Sequence, residues 1–284
     1  MKHDQLKEIM MKIELLPSVS NTTAKLLSLL DDPNACANKI EEALRYDPSL
    51  TANILKLSNS TYFGFRSQIG SIKHALAAIG LRRLKKMIIT SCMYPVLNKP
   101  VPGYGLNHGE LWRHSIAVSV VSETLAKELS FVASDEIFTA ALIHDIGKLV
   151  LGEFVEDDMN KIQTLSADDV PFEAAERLAF GIDHAEIGAM VLKNWFFPEK
   201  IVDAVRWHHE PDALSSEESV IVDIVHVADL ISLMIGIGIG NDGLHYESSQ
   251  TVIARLGISN AHLETVASQS LQNINEVLDT FEKS

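Results

Sequence analysis

Apolar residues recur at helical spacing through most of the chain, and the strict alternation typical of a half-buried strand is nearly absent. Prolines, Asp-Pro pairs and glycines separate the periodic segments. Helices are therefore predicted over residues 4–16, 22–30, 38–46, 49–59, 72–79, 81–97, 110–129, 135–147, 171–180, 185–195, 198–209, 220–233 and 261–281. This pattern predicts an all-α fold.

One segment interrupts the helical pattern more clearly than any other. Residues 98–105 read Asn-Lys-Pro-Val-Pro-Gly-Tyr-Gly, with two prolines, two glycines and no periodicity. The length of 284 residues suits one large domain or two smaller ones. We therefore expect a helical N-terminal subdomain over residues 1–100, packed on a helical bundle over residues 101–284.

Composition narrows the classes of partner. The formal net charge is −14, from 38 acidic and 24 basic residues, which argues against nucleic acid and against anionic membrane surfaces. The two cysteines form no Cys-x-x-Cys pair, and the first residues lack the apolar core of a signal peptide. A cytoplasmic location is expected. The longest apolar run, residues 220–239, carries three ionisable side chains and predicts a buried helix instead of a membrane span.

The predicted helix 135–147 has an unusual ending. Its apolar positions 137, 140, 141 and 143 form a buried face, and Gly147 is expected as the residue that closes it. Packing does not require His144 and Asp145 at this place, whereas imidazole nitrogen and carboxylate oxygen suit a divalent metal. Adjacent residues on a helix project about 100° apart, so both reach one site only near a helix end.

Four other predicted helices turn metal-ligand types towards the interior. Alone, each such histidine could be a hydrogen-bonded core residue, but a buried carboxylate without a partner is costly. A single metal site would satisfy all of them together. The predicted ligands are His114, His144, Asp145, His184, His208, His209 and Asp229.

Ligand count suggests two metals. Asp145 could bridge them with its two oxygens; His114, His144 and Asp229 would then complete one metal, and His184, His208 and His209 the other. Glu176 is either a further ligand, an acceptor for a ligand histidine or a solvated helix acid. Lys148 could pair with a phosphate as a point charge, or be a helix-end lysine that favours the dipole. His226, which faces inward one turn before Asp229, is a spare ligand.

The order of His114, His144-Asp145 and Asp229 resembles the HD superfamily of metal-dependent phosphohydrolases. With His184, His208-His209 and Lys148 added, it is similar to the two-metal branch that includes the HD-GYP cyclic-di-GMP phosphodiesterases. This resemblance implies catalytic roles for Asp145 and Lys148. The Gly-Tyr-Pro segment of those enzymes is missing, because residues 211–214 read Pro-Asp-Ala-Leu, which argues against cyclic-di-GMP cleavage.

The N-terminal half resembles the HDOD family, the HD-related output domain of bacterial signalling. The motifs are Leu16-Pro17, Tyr46-Asp47-Pro48-Ser49-Leu50, Leu57-Ser58-Asn59-Ser60 and residues 72–84, continued by residues 176–209. Many HDOD domains have lost the His-Asp ligands, whereas this chain keeps the set. The resemblance implies a regulatory protein whose partner is a signalling protein or a nucleotide.

Two functions follow. The first is a signalling module that holds divalent metal ions, expected to be two ions of iron or manganese, with zinc, nickel or magnesium as alternatives. The second is a metal-dependent phosphohydrolase acting on a nucleotide or cyclic dinucleotide, in which such ions polarise a phosphoryl oxygen. The sequence leaves the oligomeric state open. The Gly-rich residues 235–243 follow a helix and not a strand, so they are interpreted as a flexible turn.

Overall fold

The computed structural model describes residues 2–15, 26, 29, 37–44, 47–63, 68–131, 135–157, 162, 170–214, 220–242, 246 and 248–282. It is 77% helical, and these residues contain no strand. A single isolated β-bridge joins Val101 and Leu106. The predicted all-α fold is confirmed. The predicted helix 22–30 falls outside the described residues, apart from 26 and 29.

The helices agree closely with the predicted ones and add two. Their bounds are α1 Lys2–Leu15, α2 Ala37–Leu44, α3 Pro48–Ser58, α4 Ile72–Leu97, α5 Glu110–Glu128, α6 Asp135–Ile143, α7 Lys148–Asp157, α8 Phe172–Phe180, α9 His184–Asn194, α10 Glu199–Trp207, α11 Val220–Met234, α12 Gln250–Leu256 and α13 Asn260–Glu282. Helices α7 and α12 were not predicted. None of the described helices combines the length and apolarity needed to cross a membrane.

The chain divides into two compact units. One contains Met1–Leu16 and Leu97–Ser270, and the other contains Pro17–Val96 and Leu271–Ser284. The predicted domain assignment, an N-terminal subdomain over residues 1–100 and a bundle over residues 101–284, stays a prediction.

Helix α6 is the centre of the first unit. Helices α5, α10 and α11 all pack against it, and residues 137–143 are buried around its whole circumference. A short helix that is apolar on every side is stable only inside such a bundle. The C-terminal end of α6 therefore delivers the residues that follow it into the interior of this unit.

Helix α6 ends at Ile143, four residues earlier than predicted. His144 and Asp145 lie in the turn that leads to α7, so the two side chains are free of helical geometry. Gly147 does not have the left-handed conformation expected of a closing glycine. It is needed for close packing instead, because a Cβ there would lie 1.9 Å from the His184 carbonyl oxygen.

The second unit contains α2, α3, most of α4 and the end of α13. Asp47 caps α3 by accepting a hydrogen bond from the Leu50 amide at 2.9 Å, with Pro48 in the first turn as predicted. Helix α4 is interrupted at Gly80, whose φ of 78° favours glycine. The two helices predicted on either side of this glycine are therefore confirmed.

Candidate metal centre

Asp145 lies in the middle of four histidines, and its two oxygens face different pairs. Oδ2 is 3.6 Å from His114 Nε2 and 3.4 Å from His144 Nε2. Oδ1 is 3.5 Å from His184 Nε2 and 3.7 Å from His208 Nε2. The carboxylate therefore has the placement of a bridge between two groups of imidazoles.

All seven predicted ligand residues come together here. His114, His144 and Asp145 form one group with metal-ligand spacing, and Asp145, His184, His208 and His209 form a second. Asp229 joins the first group, with Oδ1 at 3.0 Å from His114 Nε2 and 3.8 Å from His144 Nε2. We call His114, His144 and Asp229 the first half of the centre, and His184, His208 and His209 the second half. Their role as ligands stays a prediction.

Backbone carbonyls orient three of the histidines. Nδ1 of His114 donates to the Ile237 oxygen at 3.1 Å, that of His144 to Ala141 at 2.8 Å, and that of His208 to Val205 at 2.7 Å. In a neutral imidazole, a proton held on Nδ1 leaves Nε2 available as a ligand. Outer contacts of this kind fix the tautomer and the ring orientation of metal-binding histidines. Nε2 of each ring faces Asp145, and that of His114 lies closer still to Asp229 Oδ1.

A carboxylate orients His184 instead. Glu176 Oε2 accepts hydrogen bonds from His184 Nδ1 at 2.7 Å and from the His184 amide at 2.9 Å. Its other oxygen accepts the Tyr104 hydroxyl at 2.5 Å. Glu176 is fully buried, so its interpretation as a solvated helix acid is wrong. Tyr104 comes from the segment that the sequence marked only as a boundary.

His209 is placed by a ring stack. Its ring lies parallel to that of Tyr246, with centroids 4.0 Å apart and an 11° angle between the planes. Its Nε2 is 2.9 Å from His184 Nε2. Two nitrogens bound at right angles to one ion, each about 2.1 Å from it, lie about 3 Å apart. The pair therefore has the separation of neighbouring ligands.

His226 is not a spare ligand. Its Nδ1 donates to the His208 carbonyl oxygen at 2.7 Å, and its Nε2 accepts from the Ser249 amide at 3.1 Å. Both ring nitrogens are therefore occupied by the backbone. The residue supports the segment that carries His208.

The two carboxylates of the centre are ionised. Burial raises the pKa of Asp145, but His144 and Lys148 outweigh it and hold that pKa well below its usual range. Burial likewise raises the pKa of Asp229, but His114 lowers it to about 2. Two anionic carboxylates are thus enclosed among imidazoles.

The histidines of the second half differ in charge. Burial holds the pKa of His208 and of His209 well below the usual value, which leaves both rings neutral. Burial lowers the pKa of His184 too, but Glu176 raises it to about 9. To serve as a ligand through Nε2, His184 would have to give up that proton, because metal ligands bind in their deprotonated form.

Several buried atoms of the centre lack a partner. His144 Nε2, His208 Nε2 and Asp145 Oδ1 have no hydrogen bond to any described residue. Buried polar atoms normally have a partner, and these three face one another across the centre. Imidazole nitrogen and carboxylate oxygen are suitable donors for divalent transition metals. The residues present therefore fit a metal.

Lys148 lies beside the centre in an ion pair with two acids. Its Nζ is 2.7 Å from Asp145 Oδ2 and 2.6 Å from Asp242 Oδ2, and the residue is 4% exposed. Burial lowers its pKa, but both carboxylates raise it above the usual lysine value. Lys148 begins α7, so the expectation of a lysine favoured by a helix C-terminus is wrong.

The Gly-rich segment after α11 contacts the centre. Ile237 supplies the carbonyl to His114, and the Asn241 amide donates to the Tyr104 oxygen at 2.8 Å. A Cβ at Gly238 would lie 2.4 Å from the Cβ of His114. Sequence reasoning missed these contacts. Glycine at every second position after the helix that carries Asp229 was a signal for close backbone approach.

The profile of one protein family, described as the HDOD domain, matches residues 16–211, which is more than half of the chain. The chain belongs to the HDOD family. The predicted resemblance is confirmed. A curated relative of this HDOD protein, an uncharacterized protein from Treponema pallidum (strain Nichols), is 22% identical over 223 residues. The match covers 77% of this chain and 42% of that relative, so the chain spans less than half of its length.

Solved structures support the fold of the HDOD chain. An HDOD domain protein of unknown function from Geobacter sulfurreducens has a TM-score of 0.72 at 25% identity, covering 99% of this chain and 93% of the other. A candidate phosphohydrolase from Shewanella amazonensis SB2B has a TM-score of 0.74 at 22% identity, with 96% and 97% covered. A candidate metal-dependent phosphohydrolase from the same organism has a TM-score of 0.65 at 18% identity, and the match covers 99% of each chain.

Proposed function

We propose that this HDOD protein is a signalling protein that holds two divalent metal ions in its His/Asp centre. One observation carries the proposal, namely that the two oxygens of Asp145 face separate groups of histidines. A carboxylate in that position can bind two ions at once and keep them close together. The first half and Asp145 would hold one ion, and the second half and Asp145 the other.

We propose iron or manganese as the ions, with zinc and nickel as alternatives. Five imidazoles and two carboxylates make a mixed nitrogen and oxygen environment, which suits iron, manganese, zinc and nickel. Magnesium prefers oxygen ligands and keeps several waters, which makes it the weakest alternative.

Family membership and burial favour signalling over turnover. His144, His184 and His208 have no exposed surface, and Asp145 is 1% exposed. A centre enclosed to this degree suits a role in which metal state or ligand binding changes the surface read by a partner. We propose a signalling protein or a nucleotide as that partner.

Phosphoester hydrolysis is the second candidate function, because the Lys148 ammonium lies beside Asp145. The chemistry that two divalent ions supply is polarisation of a phosphoryl oxygen and acidification of water. Asp145 and the histidines would hold the ions. Lys148 would neutralise charge on the phosphoryl oxygens as a point charge.

Metal analysis and a substrate screen separate these functions. The protein is reconstituted without oxygen with Fe(II) or Mn(II), desalted and analysed for metal per chain. Phosphodiesters, cyclic dinucleotides among them, are then screened for hydrolysis. Two ions per chain with no turnover supports the signalling protein, and turnover supports the hydrolase. Fewer than one ion per chain contradicts the metal centre itself.

A further inference from the structure

We propose that Asp242 is an internal anion that occupies a phosphoryl-binding position beside Lys148 and has to leave before a phosphate group can enter. The inference rests on the proposed metal centre and adds its regulation. It makes the Asp242 side chain an autoinhibitory contact. The chemical class that this contact excludes is the tetrahedral phosphoryl anion, free or as part of a nucleotide.

The position next to Lys148 has the geometry of an anion site. Lys148 Nζ is 2.7 Å from Asp145 Oδ2, the oxygen that faces the first half of the centre. A phosphoryl group placed across the centre would bring its oxygens within reach of this ammonium. Asp242 Oδ2 is already there, 2.6 Å from Nζ.

The donors around Asp242 are those that phosphate uses. Its Oδ2 accepts hydrogen bonds from the Lys148 ammonium and from the Tyr246 hydroxyl, the latter at 2.7 Å. Charge-assisted hydrogen bonds from a lysine and a neighbouring hydroxyl are common at phosphate oxygens. Asp242 is 2% exposed and belongs to neither metal-ligand group. Its carboxylate therefore serves as a substitute for a phosphoryl oxygen more readily than as a ligand.

In the metal-loaded centre the ions would offset the charge of Asp145, which leaves Asp242, outside both ligand groups, as the anion paired with Lys148. An incoming phosphate would have to compete with Asp242 for this ammonium, and two anions at that distance repel each other. With Asp242 in place the centre can hold metal while it refuses phosphate.

The segment that carries Asp242 is fixed to the centre. The preceding residue, Asn241, donates its amide to the Tyr104 oxygen at 2.8 Å. A Cβ at Gly240 would lie 2.5 Å from that same oxygen, so only glycine permits this path of the backbone. The Tyr246 ring stacks on His209, while its hydroxyl donates to Asp242, so Tyr246 connects the partner of Lys148 with the second half.

The test compares Asp242→Asn with Asp212→Asn. Asn keeps the shape of the side chain and removes its charge. Asp212, an exposed acid, is a control for the loss of one carboxylate away from the centre: it also accepts a hydroxyl hydrogen bond, from Ser249 at 2.6 Å, and lies outside both ligand groups. Manganese-loaded proteins are desalted and analysed for metal. Inorganic phosphate, and separately adenosine monophosphate, are then titrated into each by calorimetry.

We expect Asp242→Asn to bind inorganic phosphate at least tenfold more tightly than the wild type and the control, with metal content unchanged. Tighter binding of the nucleotide alone would assign the site to nucleotides and still support the exclusion. Equal or weaker binding of both probes overturns it. If Asp242→Asn does not fold or loses metal, Tyr246→Phe, which removes one tether of Asp242, has to tighten phosphate binding; otherwise the proposal is wrong. A wild type without metal overturns the centre and this inference together.

Discussion

The two halves of the centre share Asp145 but are built differently. In the first half, Asp229 adds a second carboxylate, and backbone carbonyls of Ile237 and Ala141 hold the histidines. The second half has three imidazoles and no further carboxylate of its own. There a buried acid, Glu176, orients His184.

Because of this difference, the two halves should bind metal with different affinities. Two anionic oxygens attract a divalent cation more strongly than one, so the first half should bind more tightly. In the second half, His184 and His209 are oriented by side chains that substitution can remove, whereas a carbonyl support survives most substitutions. We therefore expect the second half to load last and to be the easier one to disable.

Asp145→Ala should have the largest effect, because it removes the residue that both halves share. Most of the bound metal should be lost, as measured by elemental analysis after reconstitution and desalting. Asp212→Ala is the control for loss of an acid elsewhere. If both ions stay in the Asp145 variant, the bridging role is refuted.

Asp229→Asn should disable the first half alone. It removes the second carboxylate while the second half keeps its ligands, so about one ion per chain should remain. Asp223→Asn is the matched control: it also changes a buried acid on α11, one paired with Arg255. Loss of both ions would show that the halves do not load separately.

Glu176→Gln should weaken the second half without emptying it. Removal of an outer-shell partner typically costs 10–100-fold in metal affinity. Competition with a chelator should show one ion bound more weakly than in the wild type and one bound with unchanged affinity. Glu173→Gln, one turn earlier on α8, is the control. Equal weakening of both ions would contradict the division into halves.

Glu173→Gln should change only the pH dependence of stability. Burial raises the pKa of Glu173 to about 7, and its Oε2 has no hydrogen-bond partner in the described part of the chain. Between its unfolded pKa near 4.5 and its folded pKa near 7, the folded state binds more protons than the unfolded state. Stability must therefore fall as pH rises through this window.

This pKa shift corresponds to at most roughly 3 kcal/mol in the free energy of unfolding. Because the carboxyl can relax, we expect wild type and variant to differ by about 1–2 kcal/mol at high pH. Urea unfolding of metal-free protein at pH 5 and pH 8 measures it. The variant should gain stability relative to the wild type at pH 8 and little at pH 5. The same difference at both values would argue against the raised pKa.

Helical periodicity was enough to predict the fold and which ligand types face inward. The phase of His114 on α5 and of Asp229 on α11 follows from the apolar residues beside them, because one face of each helix must be buried. The convergence of five helices on one point could then be expected, because burying a carboxylate without a partner carries a large free-energy penalty.

The outer contacts were beyond the sequence. Tyr104, Asp242 and Tyr246 lie in segments without helical periodicity. Their partners at the centre, Glu176, Lys148 and His209, are distant along the chain. Helix α7 was not predicted, and it contains Gly152, a residue of low helix propensity. In the fold that glycine permits close packing, since a Cβ there would lie 2.4 Å from the Val101 side chain.

Gly147 gives a criterion for judging other chains that carry a His-Asp pair. A side chain at the second position after the aspartate cannot coexist with α9 at its present distance, because its first carbon would overlap the His184 carbonyl oxygen. A chain with alanine at that position cannot hold the equivalent of His184 at this distance, even when every ligand residue is retained. The pattern His-Asp-x-Gly therefore reports on the second half of the centre, although none of its four residues belongs to that half and only the shared aspartate contacts it.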